Sequence, residues 1–231
     1  KSVWFRNFTR NPEIWLKFYF HFLNSAMHEE SLTKQAARIF PSFANFKNFY
    51  LAGGTALAIQ IGHRKSVDFD FFSSRELPSD LMGQVKKTFS HSQIAITYSA
   101  VSQLNLLIDD IKTTFLEYPY PVLESFVKQG KVAMASIPEI AAMKAHAIGR
   151  RLSYKDYIDW YFLLKEKHIT LSKLIPLAQK KFGGEFSDRL FLGQLVSLVD
   201  IPTQPIDFLR DEVGRETIRK FLESEVKKIK L

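Results

Sequence analysis

The sequence contains no cysteine and no long apolar run. With no cysteine among 231 residues, a disulfide framework and a thiolate metal site are both excluded. No apolar run reaches the roughly 18 residues of a transmembrane helix. The first ten residues, KSVWFRNFTR, lack the apolar centre of a signal peptide. We therefore expect a cytoplasmic protein that makes no contact with a membrane.

The composition is that of a folded, basic protein. Hydrophobic residues make up 46% of the chain, and phenylalanine is unusually frequent, with 21 copies. This is enough apolar material for one large domain, or for a core domain with an appendage. The formal net charge is +8, which favours phosphate-rich partners such as nucleotides or RNA. Charge alone does not separate such a protein from one that is merely basic.

A Gly-Gly turn lies near the start of the most informative stretch, residues 49–73. Residues 50–52 predict the end of a short buried strand, which Gly53 and Gly54 interrupt. Thr55 is in position to cap an apolar helix that Gly62 ends. A turn that leads into a helix N-terminus offers backbone N–H groups to an anion. The pattern therefore indicates a phosphate site.

Two aspartates follow this helix. Residues 67–72 alternate, so Asp68 and Asp70 share one face of a predicted strand. Two neighbouring carboxylates raise each other's pKa unless a cation lies between them, and Mg²⁺ prefers oxygen ligands of this kind. The stretch therefore predicts a combined metal and phosphate site. The alternative is that the aspartates form the solvated face of an edge strand and the Gly-Gly pair is only a turn.

Alternation and helical periodicity predict the remaining elements. Strands are expected at 94–100, 104–108 and 111–118, the last two forming a hairpin around Asp109 and Asp110. Residues 13–39 are expected to be helical, with a second helix over 31–40 that ends at Pro41. Further helices are expected to begin at residue 80 and to span 136–149, 153 to about 167, and 217–230. We treat His146 and His168 as ordinary residues.

The second polar cluster lies at 136–166. Ser136 and Glu139 have the spacing of a capping box. In the next predicted helix, Lys155, Asp156 and Asp159 are three and four residues apart, so they lie near one another. Lysine suits phosphate, and the acids can orient cations or act as a base. The alternative is a salt-bridged surface helix.

These blocks resemble the AbiEii/AbiGii-type toxins of the nucleotidyltransferase superfamily. The first block is GGTAL at 53–57, followed by a basic residue, a serine and D-F-D-F at 68–71; the second is the YPYP run at 118–121; the third is a K-x6-R-x3-KD-x2-D pattern from residue 144. The resemblance spans about residues 49–165, roughly half of the chain.

The resemblance implies a fold and a division of the chain. We expect an α+β nucleotidyltransferase-like fold with a small mixed sheet of about four to five strands flanked by helices. The N-terminal helices and this core would occupy 1–135, and a helical C-terminal part would occupy 136–231.

The resemblance also implies a function. It predicts a metal-dependent nucleotidyltransferase toxin that moves a nucleotidyl group from an NTP to an acceptor, such as RNA or tRNA, and is opposed by a cognate antitoxin. Mg²⁺ or Mn²⁺ would bind to Asp68 and Asp70. The implied catalytic residues are Asp68, Asp70, Lys144, Lys155, Asp156 and Asp159, and the implied nucleotide-binding residues are Gly53, Gly54, Thr55, Arg64, Ser66 and Arg151.

One position departs from the family pattern. The third carboxylate of the family falls on Thr114. The hairpin places Asn105 across from it, and an amide is a weak neutral ligand. A catalytically impaired nucleotide- or RNA-binding protein on the same scaffold is therefore the alternative, and a phosphotransferase is a further one.

Overall fold

The computed structural model describes residues 27–151 and 153–229. They form an α+β fold built on one seven-stranded mixed sheet with strand order β3-β4-β5-β2-β1-β7-β6. In chain order the strands are β1 (Tyr50–Ala52), β2 (Phe69–Ser73), β3 (Ile94–Ala100), β4 (Gln103–Ile108), β5 (Ile111–Glu117), β6 (Val127–Gln129) and β7 (Val132–Met134). The pairs β2–β5 and β1–β7 are parallel and the others are antiparallel.

Eight α-helices accompany this sheet in the ranges that the structure describes. They are α1 (Lys34–Ile39), α2 (Gly53–Ile61), α3 (Leu81–Thr88), α4 (Ile137–Ala147), α5 (Tyr154–Lys165), α6 (Leu171–Phe182), α7 (Asp188–Val196) and α8 (Arg215–Val226). Short 3₁₀ turns occupy Glu29–Ser31, Phe40–Asn45 and Gly183–Glu185. No helix in the described part of the chain is long and apolar enough to cross a bilayer.

Phenylalanines fill the core on one face of the sheet. The ring of Phe43 lies 4.5 Å from that of Phe71 and 5.0 Å from that of Phe69, measured between centroids. Phe46 packs on Phe115 at 5.0 Å. This face takes every second residue of β2 and β5, so the residues between them, including Asp70 and Thr114, project to the opposite face.

The strand and hairpin predictions are largely confirmed, and the number of strands and the start of β2 are corrected. Asp109 and Asp110 both have positive φ in the two-residue turn between β4 and β5, as such a turn requires. The sheet has seven strands rather than four to five, because the three-residue strands β6 and β7 are too short to show alternation. The strand β2 begins at Phe69, so Asp68 precedes it.

The helix predictions need similar corrections. Instead of one helix over 31–40, α1 is followed by a 3₁₀ turn that includes Pro41, a residue tolerated there because it lies in the first turn. The helix α4 ends at Ala147 rather than at Gly149. The predicted helix at 13–39 lies mostly outside the described residues. The division at residue 135 stays a prediction, and buried side chains on both sides of it belong to one continuous cluster.

Candidate functional site

The Gly-Gly turn brings backbone close to both parts of the site. Gly53 has φ of +69°, and a Cβ added there would lie 3.2 Å from Asp70 Oδ2. A Cβ on Gly54 would lie 2.6 Å from Arg64 Nη2. Both positions therefore need glycine: the first for its backbone conformation and its neighbour, the second for the arginine packed against it. The N-terminus of α2 faces the carboxylate of β2 as a result.

Thr55 is not the cap of this helix. The helix α2 begins at Gly53 with Ala52 as the residue before it, so Thr55 lies within the first turn. Its hydroxyl pairs with Ser66 Oγ at 2.7 Å and also donates to the backbone carbonyl of Asp68. Thr55 thus fastens the segment that leads into β2 to the start of α2, and this fixes where Asp68 lies.

The surroundings of Asp70 raise the pKa of its carboxyl group. Desolvation raises its pKa, the negative charge of Asp68 raises it further, and the Thr114 hydroxyl with the more distant Arg151 offsets the rise only in part. Asp70 and Thr114 occupy paired positions of β2 and β5, and Asn105 lies across from Thr114 on β4. The residues predicted around the third carboxylate position are therefore side by side on one face.

Asp159 is the centre of a buried ion-pair network. Its side chain is fully buried and accepts two hydrogen bonds from Arg64, from Nε at 2.8 Å and from Nη2 at 3.1 Å. Lys144 Nζ lies 2.6 Å from Asp159 Oδ2, the oxygen that also accepts from Arg64 Nη2. Burial by itself would raise the pKa of Asp159, but these two cations hold it well below its usual value. Asp159 is therefore a fixed anion.

Asp156 occupies the same network one helical turn earlier. It accepts from Lys144 Nζ at 2.8 Å and from two nitrogens of Arg151, at 2.8 and 2.9 Å. Burial opposes ionisation of Asp156, but Lys144 and Arg151 lower its pKa. The ion pairs of Asp159 run to other elements and not to Lys155, although the four-residue spacing predicted that these two would be neighbours. The side chain of Asp159 faces the protein interior instead.

His63 also belongs to this network, although no sequence pattern predicted a role for it. It is fully buried, and its Nε2 lies 2.7 Å from Asp159 Oδ1. Desolvation lowers the pKa of His63, the contact with Asp159 raises it, and the nearby charges of Arg64 and Lys144 lower it, so that the pKa is lowered overall. A carboxylate can only accept, so Nε2–H is the donor to Asp159. No spacing in the sequence points to His63, because its partner lies 96 residues away.

Two cavities open on either side of Asp70. The one towards Asp68 has a volume of about 220 Å³ and is polar; its lining includes Thr55, Ser66, Asp68, Arg151, Lys155 and Asp156. The one towards Phe72 has a volume of about 330 Å³ and is mainly apolar; its lining includes Phe72, Tyr118, Ile140, Met143, His146 and Arg150. Gly54, Asp70, Lys144 and Arg151 line both. The carboxylate therefore stands at the boundary between a polar and a mainly apolar compartment.

The predicted capping box at the start of α4 does not form. Ser136 makes no capping hydrogen bond. Glu139 is buried; it pairs with Lys181 of α6 and accepts from the backbone amide of Leu123 at 3.1 Å. Ser153 and Asp156 have the same spacing at the start of α5, but Ser153 makes no side-chain cap, and the carboxylate of Asp156 binds Lys144 and Arg151. Tertiary partners have replaced both local contacts.

Comparison with known proteins identifies the family of the chain. The family described as the nucleotidyl transferase AbiEii toxin of type IV toxin–antitoxin systems matches residues 37–121 and 96–229. The chain belongs to this family. Its resemblance, predicted from three short blocks, is thereby confirmed over most of the chain.

Individual relatives and solved structures show which fold the chain shares. An uncharacterized protein of Aquifex aeolicus is 42% identical over 137 residues, which are 58% of this chain and 66% of the relative, so the chain spans just under two thirds of that protein's length. The crystal structure of a Helicobacter pylori protein described as a candidate nucleotidyltransferase is 23% identical, with a TM-score of 0.51 over 85% of this chain and 96% of that one. This likeness shows a nucleotidyltransferase fold. A nucleotidyltransferase toxin of Mycobacterium tuberculosis is 14% identical, with a TM-score of 0.47 over 84% of this chain and 85% of that one.

The donor set suits a hard divalent cation. Asp68 and Asp70 provide carboxylate oxygens, and the positive charges of Arg151 and Lys112 do not prevent the pKa of Asp70 from being raised. Within the described residues no group of three His, Cys, Asp or Glu side chains converges. The other ligands of such a cation would therefore be water and phosphate oxygens, as Mg²⁺ commonly accepts.

Proposed function

We propose that the chain transfers a nucleotidyl group from an NTP to a hydroxyl of an RNA acceptor, tRNA being one candidate, and that a cognate antitoxin opposes it. The observation that supports this most strongly is the position of Asp70. Its carboxylate faces the N-terminus of α2 and separates a polar cavity from a mainly apolar one. A nucleotide has the same division, with anionic phosphates at one end and a flat apolar base at the other.

The polar cavity is the proposed triphosphate site. Arg151 and Lys155 supply positive charge there, and Ser66 supplies a hydroxyl. Gly54, in the first turn of α2, lines this cavity, and the helix dipole favours an anion there. The base would then occupy the apolar cavity, beside Phe72 and Tyr118.

The acids of the ion-pair network act by positioning cations. The pKa values of Asp156 and Asp159 are lowered, so neither is suited to accept a proton near neutral pH. Asp156 holds Arg151 by two hydrogen bonds and directs its guanidinium at the cavity. Asp159 fixes Lys144, whose ammonium lines both cavities.

In the transfer, the oxygen of the acceptor hydroxyl bonds to the α-phosphorus as the bond from that phosphorus to pyrophosphate breaks, and the hydroxyl proton is released to water. Arg151 and Lys155 would stabilise the charge that develops on the pyrophosphate. Asp68 and Asp70 would hold Mg²⁺ or Mn²⁺, which as a Lewis acid supplies further stabilisation of phosphoryl charge.

One observation favours the alternative of a nucleotide- or RNA-binding protein that does not catalyse transfer. Thr114 stands where the family pattern has a third carboxylate, and its hydroxyl is neutral. Such a protein would bind NTP at the same cavities and would leave RNA unlabelled.

Transfer of label from an α-³²P-labelled NTP to total RNA, in the presence of Mg²⁺ or Mn²⁺, tests the proposal. Wild type and an Asp110→Asn control, which makes the same charge change in an exposed turn, should label RNA. Asp70→Asn should lose at least about a hundredfold in rate while keeping its thermal melting transition. Full activity in Asp70→Asn would refute the proposal, and NTP binding without transfer by wild type under every metal would support the binding protein.

A further inference from the structure

A row of side chains leads from Asp70 across four strands to the exposed ring of Tyr98. Asp70 on β2 pairs with Thr114 on β5, Thr114 pairs with Asn105 on β4, and Asn105 pairs with Tyr98 on β3. Paired residues on neighbouring strands project from the same face of a sheet. The row therefore lies on the face that carries the carboxylate, and three inter-strand steps give it a length of about 14 Å.

A β-bulge places Tyr98 on this face. Ile96 pairs with Leu106 and Tyr98 pairs with Asn105, so β3 has one extra residue, Thr97, at this point. Without the bulge, the two-residue period of a strand would put Tyr98 on the same side as Ile96, away from Asp70. The two side chains are similarly exposed, 52% for Tyr98 and 55% for Ile96, but they project to opposite faces.

The side chains around Tyr98 leave its ring accessible to solvent and place polar groups on the same face of the sheet. Ala95 and Ala100, the neighbours on the same face of β3, are small and exposed. On β5, Lys112 is exposed two residues before Thr114, and its positive charge reaches Asp70. On β4, Gln103 Nε2 donates to Asn105 Oδ1 at 2.9 Å, which orients the Asn105 amide so that its NH₂ group is directed away from Gln103.

We propose that this face binds the single-stranded end of the RNA acceptor, with a base stacked on Tyr98 and the terminal hydroxyl delivered to Asp70. The inference rests on the proposed transfer to RNA and names where the acceptor lies. We call the surface formed by Tyr98, Gln103, Asn105, Lys112 and Thr114 the acceptor platform.

The chemistry of the acceptor platform fits RNA. Unpaired bases stack on exposed aromatic rings, and sheets that carry such rings take two or three bases. The amides of Gln103 and Asn105 can bond to base edges, and Lys112 can bind a phosphate. The platform is also continuous with the candidate active site through Thr114.

A protein partner would use this region differently. A peptide that adds to the free edge of β3 bonds to backbone groups, and it would not need a ring turned by a bulge towards the carboxylate face. Loss of the Tyr98 ring should therefore impair RNA binding and spare edge addition.

Fluorescence polarisation with a short, labelled single-stranded oligoribonucleotide tests the acceptor platform on the full chain. Tyr98→Ala should weaken binding about five- to a hundredfold, the loss expected from one base–aromatic stack. Tyr98→Phe should restore binding, and Ile96→Ala, an equally exposed change on the opposite face of the same strand, should leave it unchanged. Binding of labelled NTP and the thermal melting transition should be the same in all three variants.

Several outcomes would overturn the acceptor platform. These are no binding of the oligoribonucleotide by wild type, equal binding by Tyr98→Ala and Ile96→Ala, equal affinity for duplex RNA, or an effect of Tyr98→Ala confined to association with protein. Failure of the proposed function would look different. If RNA binding depended on Tyr98 but no nucleotide were transferred, the transfer would be refuted and the acceptor platform would not.

Discussion

Asp70 and Thr114 face each other at paired positions of two parallel strands, on the side of the sheet away from the phenylalanine core. The aspartate has a raised pKa, and the threonine hydroxyl is the first group that lowers it. A neutral side chain thus stands beside the carboxylate at the position where the family pattern has an acid.

Replacing this threonine with an acid should make the site more dependent on metal. In Thr114→Asp, a further carboxylate next to Asp70 should lower the melting temperature without divalent cations, because like charges would be held together. Added Mg²⁺ should recover the lost stability and bind more tightly than in wild type. The neutral Thr114→Asn variant is the matched control; equal Mg²⁺ affinity in the two variants would show that this position does not face the metal.

Mg²⁺ should stabilise the wild-type fold through Asp70. A ligand that binds only the native state at a hundred times its Kd adds about 2.7 kcal/mol to the free energy of unfolding, and thermal melts with and without Mg²⁺ measure this. Asp70→Asn should lose the Mg²⁺ effect, and without metal it should melt at or above the wild-type temperature because the desolvated charge is gone. Asp110→Asn should respond to Mg²⁺ as wild type does. A full Mg²⁺ response in Asp70→Asn would remove this residue from the metal site.

The two lysines of the site should behave differently when their charge is removed. Lys144 is 4% exposed and lies between two buried carboxylates, so Lys144→Met should cost about 3–5 kcal/mol of unfolding free energy. Lys155 is partly exposed at the polar cavity, so Lys155→Met should weaken NTP binding with little change in stability. Urea unfolding and binding of labelled NTP separate the two effects.

The exposed Lys131, in the turn between β6 and β7, provides the surface control. Lys131→Met should change neither the free energy of unfolding nor the binding of NTP. If Lys144→Met unfolded no more easily than Lys131→Met, the buried network would not contribute to stability as described.

Stability should fall at acid pH because of Asp156 and Asp159. Their folded-state pKa values lie below the usual 3.8, so they contribute stability above that value and lose it as pH falls through the folded pKa. Asp70 has the opposite sign, since a raised pKa destabilises the fold as pH rises. Urea midpoints measured from neutral pH to about pH 3 should therefore decline at the acid end. Asp159→Asn should be less stable than wild type near neutrality and show a smaller acid decline, and an unchanged decline would contradict the assigned pKa.

The sequence by itself determined the local parts of the site. The sequence identified five of the seven strands, with β1 predicted as a short buried run and the other four from alternation and a hairpin turn. The positive φ of Asp109 and Asp110 follows from that two-residue turn. The Gly-Gly turn before an apolar helix, with D-x-D beyond it, was enough to indicate a phosphate and metal site. These features depend on contacts within a few residues, which the order of residue types records directly.

Only the tertiary structure decided which polar residues neutralise one another. Asp159 binds Arg64 and His63 from 95 and 96 residues away, so helical spacing suggested Lys155 as its neighbour instead. Glu139 similarly binds Lys181, 42 residues further along the chain, and does not form the predicted capping box. In each case a buried charge requires an opposite charge beside it, and which residue supplies that charge is fixed by how the helices pack. The bulge that turns Tyr98 towards Asp70 has the same origin, because its extra residue is defined only against the paired strand β4.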